Sequence, residues 1–218
     1  MDITWRHTIS ASNELQLLDW KRRVFELYAQ VRRAGEPQQA WDRWKAERDE
    51  LFAAHPQSPI QAEDRRDFAG LPYFPYTPEA RVLADVENAP AEHYDIQTSG
   101  EAGGSYGFTR FAIASFELGG EQLSLELYWL DGYGGGLFLP FRDRTSGTET
   151  YGAGRYLLDT VKGSDLGMQD GRLVLDFNFA YNPSCAYDPK WVCPLAPLAN
   201  RLQVPIRAGE RYDAKKPG

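Results

Sequence analysis

The chain has 218 residues, room for a sizeable core and, by length, for one domain with appendages rather than two. Hydrophobic residues at 42% and charged residues at 25% are ordinary globular usage and exclude a disordered chain, while a net charge of −7 opposes attraction to phosphate backbones, so nucleic acid is not an expected partner. No segment approaches the roughly 20 apolar residues that span a bilayer, and Asp2, Arg6, Glu14, Asp19, Lys21, Arg22 and Arg23 interrupt any leader-like run, so no membrane partner is expected and the reading is cytoplasmic.

Helices come first. From Ser12 to Arg33, the residues Leu17, Trp20, Val24, Leu27, Tyr28 and Val31 recur at three and four residue steps, the spacing of one helical stripe. Ser12 is the expected cap, Gly35 the stop, and Pro37 suits the first turn of a second helix. Trp41, Trp44, Arg48, Leu51 and Phe52 continue the spacing until His55-Pro56 ends it. Residues 12–55 are therefore predicted to form a helical hairpin whose tryptophans pack on the body of the protein. Residues 56–80, punctuated by Pro59, Pro72, Pro75 and Pro78 among Phe68, Tyr73, Phe74 and Tyr76, read as an irregular strap.

Beyond the strap the period falls to two. Strands are predicted over 81–87, 93–98, 107–118, 121–130, 137–141, 155–161 and 172–180, separated by Gly, Asn and Asp turns. The clearest, Glu121–Leu130, puts Leu123, Leu125, Leu127 and Trp129 on one face and Ser124, Glu126 and Tyr128 on the other, behind a Gly119-Gly120 hairpin. The fold class is mainly β with α: an antiparallel β-sandwich or barrel of about seven strands, with the β domain over 81–211 of a single 1–218 domain. After Pro183, the residues Pro189, Pro194, Pro197 and Pro205 predict a long excursion over the sheet, and the tail from Tyr212 is expected to fray.

Chemistry is sparsely marked. Residues 131–136 hold four glycines, yet a phosphate loop needs a helix behind it and a strand follows, so a hairpin is expected. No motif nominates a cofactor or a metal site. The polar run from Phe141 to Tyr156 presents Asp143, Glu149, Tyr151 and Arg155. On the strand over 172–180, Asp176 and Asn178 share a face opposite Leu173, Leu175, Phe177 and Phe179. Next come Tyr181, Asn182, Cys185, Tyr187 and Cys193; a thiolate at Cys185 would need a base, and His55 and His93 are distant in sequence. Structural thiols, free or bridged, are the simpler reading.

The segments Trp44 through Phe52 with Ser58-Pro59-Ile60, Phe68 through Pro75, Asp143 through Tyr156, and Asp176 through Tyr187 continuing to Cys193-Pro194-Leu195-Ala196-Pro197, Asn200-Arg201-Leu202 and Ala208-Gly209-Glu210 resemble a bacterial and archaeal family catalogued as domain of unknown function 1684. The similarity covers roughly residues 41–211. It implies no activity, substrate or cofactor. It does imply that polar positions at Asp143, Glu149, Tyr151, Arg155, Asp176, Asn178, Asn182 and Glu210 belong to the family pattern, which favours an enclosed polar site.

Three functions stay open. In the first, the 143–156 and 176–193 segments form a small-molecule site: Arg155 pairs an anion, Asn178 and Asn182 orient the ligand, Tyr151, Tyr181 and Tyr187 make walls, and Glu149, Asp176 or Cys185 supplies any catalysis. In the second, these residues form an internal polar network, and the protein is an interaction module. The third is a metal-dependent hydrolase built on Asp143, Glu149 and Asp176. Oligomeric state is not encoded in these patterns.

Overall fold

The computed structural model describes residues 10–99 and 104–212. Helix α1 (Ala11–Arg33) and helix α2 (Pro37–Ala54) run antiparallel, since Asp19 meets His55 while Arg23 meets Glu47 at 2.6 Å and Glu50 at 2.9 Å. The cap is Ser10 rather than Ser12: its Oγ accepts from the Asn13 N–H, and the helix has begun by Ala11. Pro37 opens α2 as expected. Of the three tryptophans, Trp41 and Trp44 are buried; Trp44 packs edge-on against Phe179, and Trp41 Nε1 donates to Asn178 O at 2.9 Å.

Seven antiparallel strands follow in one curled sheet, a half-barrel: β1 (Arg81–Gln97), β2 (Ser105–Leu118), β3 (Glu121–Leu130), β4 (Leu137–Phe141), β5 (Arg155–Asp159), β6 (Met168–Gln169) and β7 (Arg172–Asp176), in the order β5-β4-β3-β2-β1-β7-β6. The count matches the sequence reading, but the membership differs. Two predicted strands merge into β1, because the pairing with β2 slips between Asn88 and Glu92 and Pro90, which lacks an N–H, sits in that bulge. The short β6 carries too few residues for any periodicity to reveal it. Among the described residues, no strand pairs with the β7 side of β1 beyond Ala84.

The predicted β3 alternation holds as far as Leu127, and then Tyr128 is buried while Trp129 is 47% exposed. A bulge opposite, at Phe111 of β2, accompanies this change, and the curled sheet buries its second face as well. That face holds Ile96, Phe108, Tyr128, Phe138 and Tyr156, separate from the main core under the helices. After β7 the chain crosses to the far edge, where Tyr181 exchanges two backbone hydrogen bonds with Tyr156 of β5. The excursion then wraps back, with Gly209 O accepting from Phe74 N and Glu210 N donating to Ala180 O.

Gly209 has φ +78, and a Cβ there would stand 2.5 Å from Ala180 O and 2.6 Å from Phe177 O. Gly209→Ala is expected to lower stability by about 1–3 kcal/mol, read as a lower urea midpoint. An unchanged midpoint would mean the excursion is not fixed at this point.

Candidate functional site

Arg155 opens β5 and is fully enclosed. Its Nη2 lies 3.0 Å from Asp143 Oδ2 and donates to Ile206 O, while Nη1 donates to the carbonyls of Ala208 and Glu210. Asp143 Oδ1 accepts from the N–H and hydroxyl of Thr145 and from the Ile206 N–H, so both carboxylate oxygens are engaged. Burial pushes the Arg155 guanidinium down from its ordinary value and Asp143 pulls it back up. This pair clamps the C-terminal excursion to the sheet. Glu149 stands at the rim, where hydrogen bonding to Arg207, at 2.9–3.1 Å, holds its carboxyl below the usual range.

Asp176 and Asn178 do not share a strand face. The strand stops at Asp176, whose Oδ1 accepts from Asn178 N and Nδ2 and so caps a short 3₁₀ turn, Phe177–Phe179. Both residues are nevertheless buried, because every residue from Leu173 to Ala180 is enclosed. The Asn178 amide exchanges two hydrogen bonds with the Thr77 backbone, fastening the strap. Burial raises the Asp176 carboxyl, and Arg81, 3.9 Å away, pulls against it.

Asn182 donates through its backbone and its side chain to Glu210, whose Oε2 also accepts from Arg48 Nη2 at 2.8 Å. Arg48 lies against the rings of Trp44, Phe52 and Tyr181. Burial pushes the Glu210 carboxyl up to about 7, against the pull of Arg48 and Asn182. Arg48 escaped the list of candidates, though its charge on an otherwise apolar helical stripe was the signal of a buried partner.

Cys185 and Cys193 are free and buried. Tyr151 Oη donates toward Cys185 Sγ at 3.7 Å, and Cys193 N donates to Ser99 Oγ. The Cys193 thiol, with help from Ser99 and Tyr151, lowers Cys185 to about 6 against the cost of burial, while Cys193 itself is pushed up. His55 and His93 are occupied elsewhere, by Asp19 and by Asp131 and Asp95. Tyr187 packs on Phe52. Asp143, Glu149 and Asp176 are thus engaged separately, and among the described residues no group of three or more His, Cys, Asp or Glu side chains is placed to hold a metal ion.

At the open end of the curled sheet lies a cavity of about 210 Å³ lined by Tyr106, Phe108, Leu130 and Phe138, by Asp159, Val161 and Lys162 after β5, and by Val192 and Pro194 of the excursion. Lys162 Nζ is 3.5 Å from Asp159 Oδ2. None of the residues singled out in the 143–187 region lines this cavity; Val192 and Pro194 bring the excursion to it instead.

The family model described as a protein of unknown function, DUF1684, matches residues 66–211. The chain belongs to the DUF1684 family. The solution NMR structure of an uncharacterized protein from Haloarcula marismortui is similar at 37% identity, covering 82% of this chain and 96% of that one with a TM-score of 0.59. Among curated proteins none matches. The DUF1684 match contains the Asp143–Arg155 clamp, the thiol pair and all the cavity-lining residues, whereas Arg48 and the helical hairpin precede it. No described helix is long and apolar enough to cross a membrane.

Proposed function

We propose that this DUF1684 protein binds a small molecule in the cavity at the mouth of the half-barrel: a single apolar ring bearing a carboxylate, amide or hydroxyl. The supporting observation is the lining itself, in which aromatic and aliphatic side chains surround one cation and one anion, Lys162 and Asp159. Pockets for drug-sized ligands usually run to about 300–1,000 Å³, so a cavity of about 210 Å³ fits a fragment-sized molecule. Burial alone would lower the Lys162 ammonium, but Asp159, Cys193 and Tyr106 together raise it above its ordinary value, so the amine remains a cationic donor at neutral pH. The earlier candidates then serve this site indirectly, because the Arg155 clamp and the Glu210 network hold the excursion that supplies Val192 and Pro194.

NMR titration with benzoate and with benzamide tests the reading. Resonances of Leu130, Val161 and Val192 are expected to move, and Lys162→Met is expected to weaken benzoate by about threefold to tenfold, a partly exposed charge contributing roughly 1 kcal/mol. Val192→Trp, which fills the cavity, should remove both responses. No movement of these resonances with either probe would refute the assignment. The interaction-module reading draws support from the internal engagement of Asp143, Arg155, Asp176, Asn178 and Asn182, and from Leu15 and Leu18 exposed on α1.

A further inference from the structure

Beside the Asp143 clamp, at the segment that follows β4, a second concavity of about 260 Å³ is lined by Arg142, Asp143, Arg144, Ser146, Arg201, Leu202 and Gln203. Its charge is unbalanced. Three guanidinium groups border it, and among the described residues none of Arg142, Arg144 and Arg201 has a carboxylate within ion-pair distance. Asp143 does not neutralise them, because its Oδ2 is taken by Arg155 and its Oδ1 by Thr145 and Ile206.

The backbone forces this juxtaposition. Arg142 and Arg201 form a parallel bridge, with Arg142 N donating to Asn200 O at 2.9 Å and Leu202 N donating to Arg142 O at 2.8 Å. Asn200 locks the arrangement from beneath, since its buried side chain donates to Glu126 O and Pro140 O and accepts from Glu126 N. Arg144 is steadied by a bond from its Nε to Gln203 O, which leaves its terminal nitrogens free of protein partners among the described residues. Arg142 Nε–H is buried and lacks an acceptor there. Like charges held together with an orphaned donor are costly in a folded chain, and no carboxylate of the described residues answers them at close range although the molecule carries a net charge of −7. Burial and the neighbouring Arg201 both lower the Arg142 guanidinium, as expected when no anion answers it.

We propose that Arg142, Arg144 and Arg201 form a binding site for a phosphate dianion, either inorganic phosphate or the phosphate of a small phosphomonoester. Guanidinium forks match phosphate oxygens, and a doubly charged group offsets three cations better than a carboxylate does. The Ser146 hydroxyl, whose oxygen accepts from Asp143 N, has its own hydrogen to offer at the rim. A nucleic-acid strand is disfavoured by the acidic remainder of the surface.

Calorimetric titration at matched ionic strength tests this with inorganic phosphate in one arm and phenyl phosphate in the other, and benzoate as the carboxylate control. In the Val192→Trp background, where the mouth cavity is filled, phosphate is expected to bind and benzoate to give no heat, and Arg201→Gln, an exposed position, to weaken phosphate by about tenfold without lowering the melting temperature of the ligand-free protein. Tighter binding of phenyl phosphate than of inorganic phosphate identifies an ester as the ligand, and the reverse order identifies free phosphate. Binding lost in Lys162→Met but kept in Arg201→Gln and in Arg142→Gln would overturn the site, as would the absence of any phosphate heat beyond that of chloride.

Discussion

Replacing Arg155 by methionine is expected to remove about 3–5 kcal/mol of stability, the loss that follows when one partner of a buried ion pair is left without the other. Asp143 would lose its cation in a site where it is 6% exposed, and the carbonyls of Ile206, Ala208 and Glu210 would lose their shared donor. For a chain of this length that corresponds to a drop of roughly 10 °C in melting temperature. Asp143→Asn combined with Arg155→Met should recover part of the loss, because no unpaired charge remains and the Asn carbonyl still accepts from Thr145 and Ile206. Urea unfolding of the single and double variants measures both. A single variant within about 1 kcal/mol of the parent would mean that the excursion is held by its other contacts and that the clamp adds little.

The thiol pair should titrate in two well-separated steps, the first near pH 6 and the second above the range of an ordinary cysteine. The cause is sequential: once Cys185 is a thiolate, the Cys193 thiol, the Ser99 hydroxyl and the Tyr151 hydroxyl stabilise it, and Cys193 then resists losing its own proton. The ultraviolet thiolate band reads this without requiring a reagent to reach a buried sulfur. Cys193→Ala should carry the first midpoint from about 6 up toward the ordinary 9.0, with Tyr151→Phe giving a smaller rise. A depressed thiol in the folded state means fewer bound protons than in the unfolded chain between those two values, so stability rises with pH across that window and the contribution is lost as pH falls through about 6. A single unresolved step at an ordinary position would show that the two sulfurs do not share a proton.

Much of the architecture was legible because its cues are local. The helical stripes, Pro37 at the head of α2, the Gly119-Gly120 turn with φ +61 and +81, and the hairpin at 131–136 each follow from a few neighbouring residues. What escaped depends on distant pairing. The gap between the strands predicted over 81–87 and 93–98 is a bulge within one strand, and Asp176 reads as one more alternating strand residue and is the cap at which the strand turns. The site behaved likewise. Polar side chains at Asp143, Arg155, Asp176, Asn178 and Asn182 were visible as unusual and are enclosed, but their spacing could not say that backbone carbonyls and one another would consume their hydrogen-bonding capacity. The mouth cavity gave almost no signal, since Phe108, Leu130, Phe138 and Val161 look like any strand hydrophobics, and only Asp159 with Lys162 at the close of β5 hints at a polar floor.

The open flank of β1 has a consequence for life at high concentration. From Asp85 to Asp95, one row of backbone groups has no strand beside it among the described residues, which would ordinarily invite another copy to dock and extend the sheet without limit. Pro90 and its bulge break the straight ladder such an intruder would need, while Asp85, Glu87, Glu92 and Asp95 line the strand with negative charge that a second copy would bring as well. The same eleven residues that look like an imperfection in the strand thus act as a barrier to fibre growth.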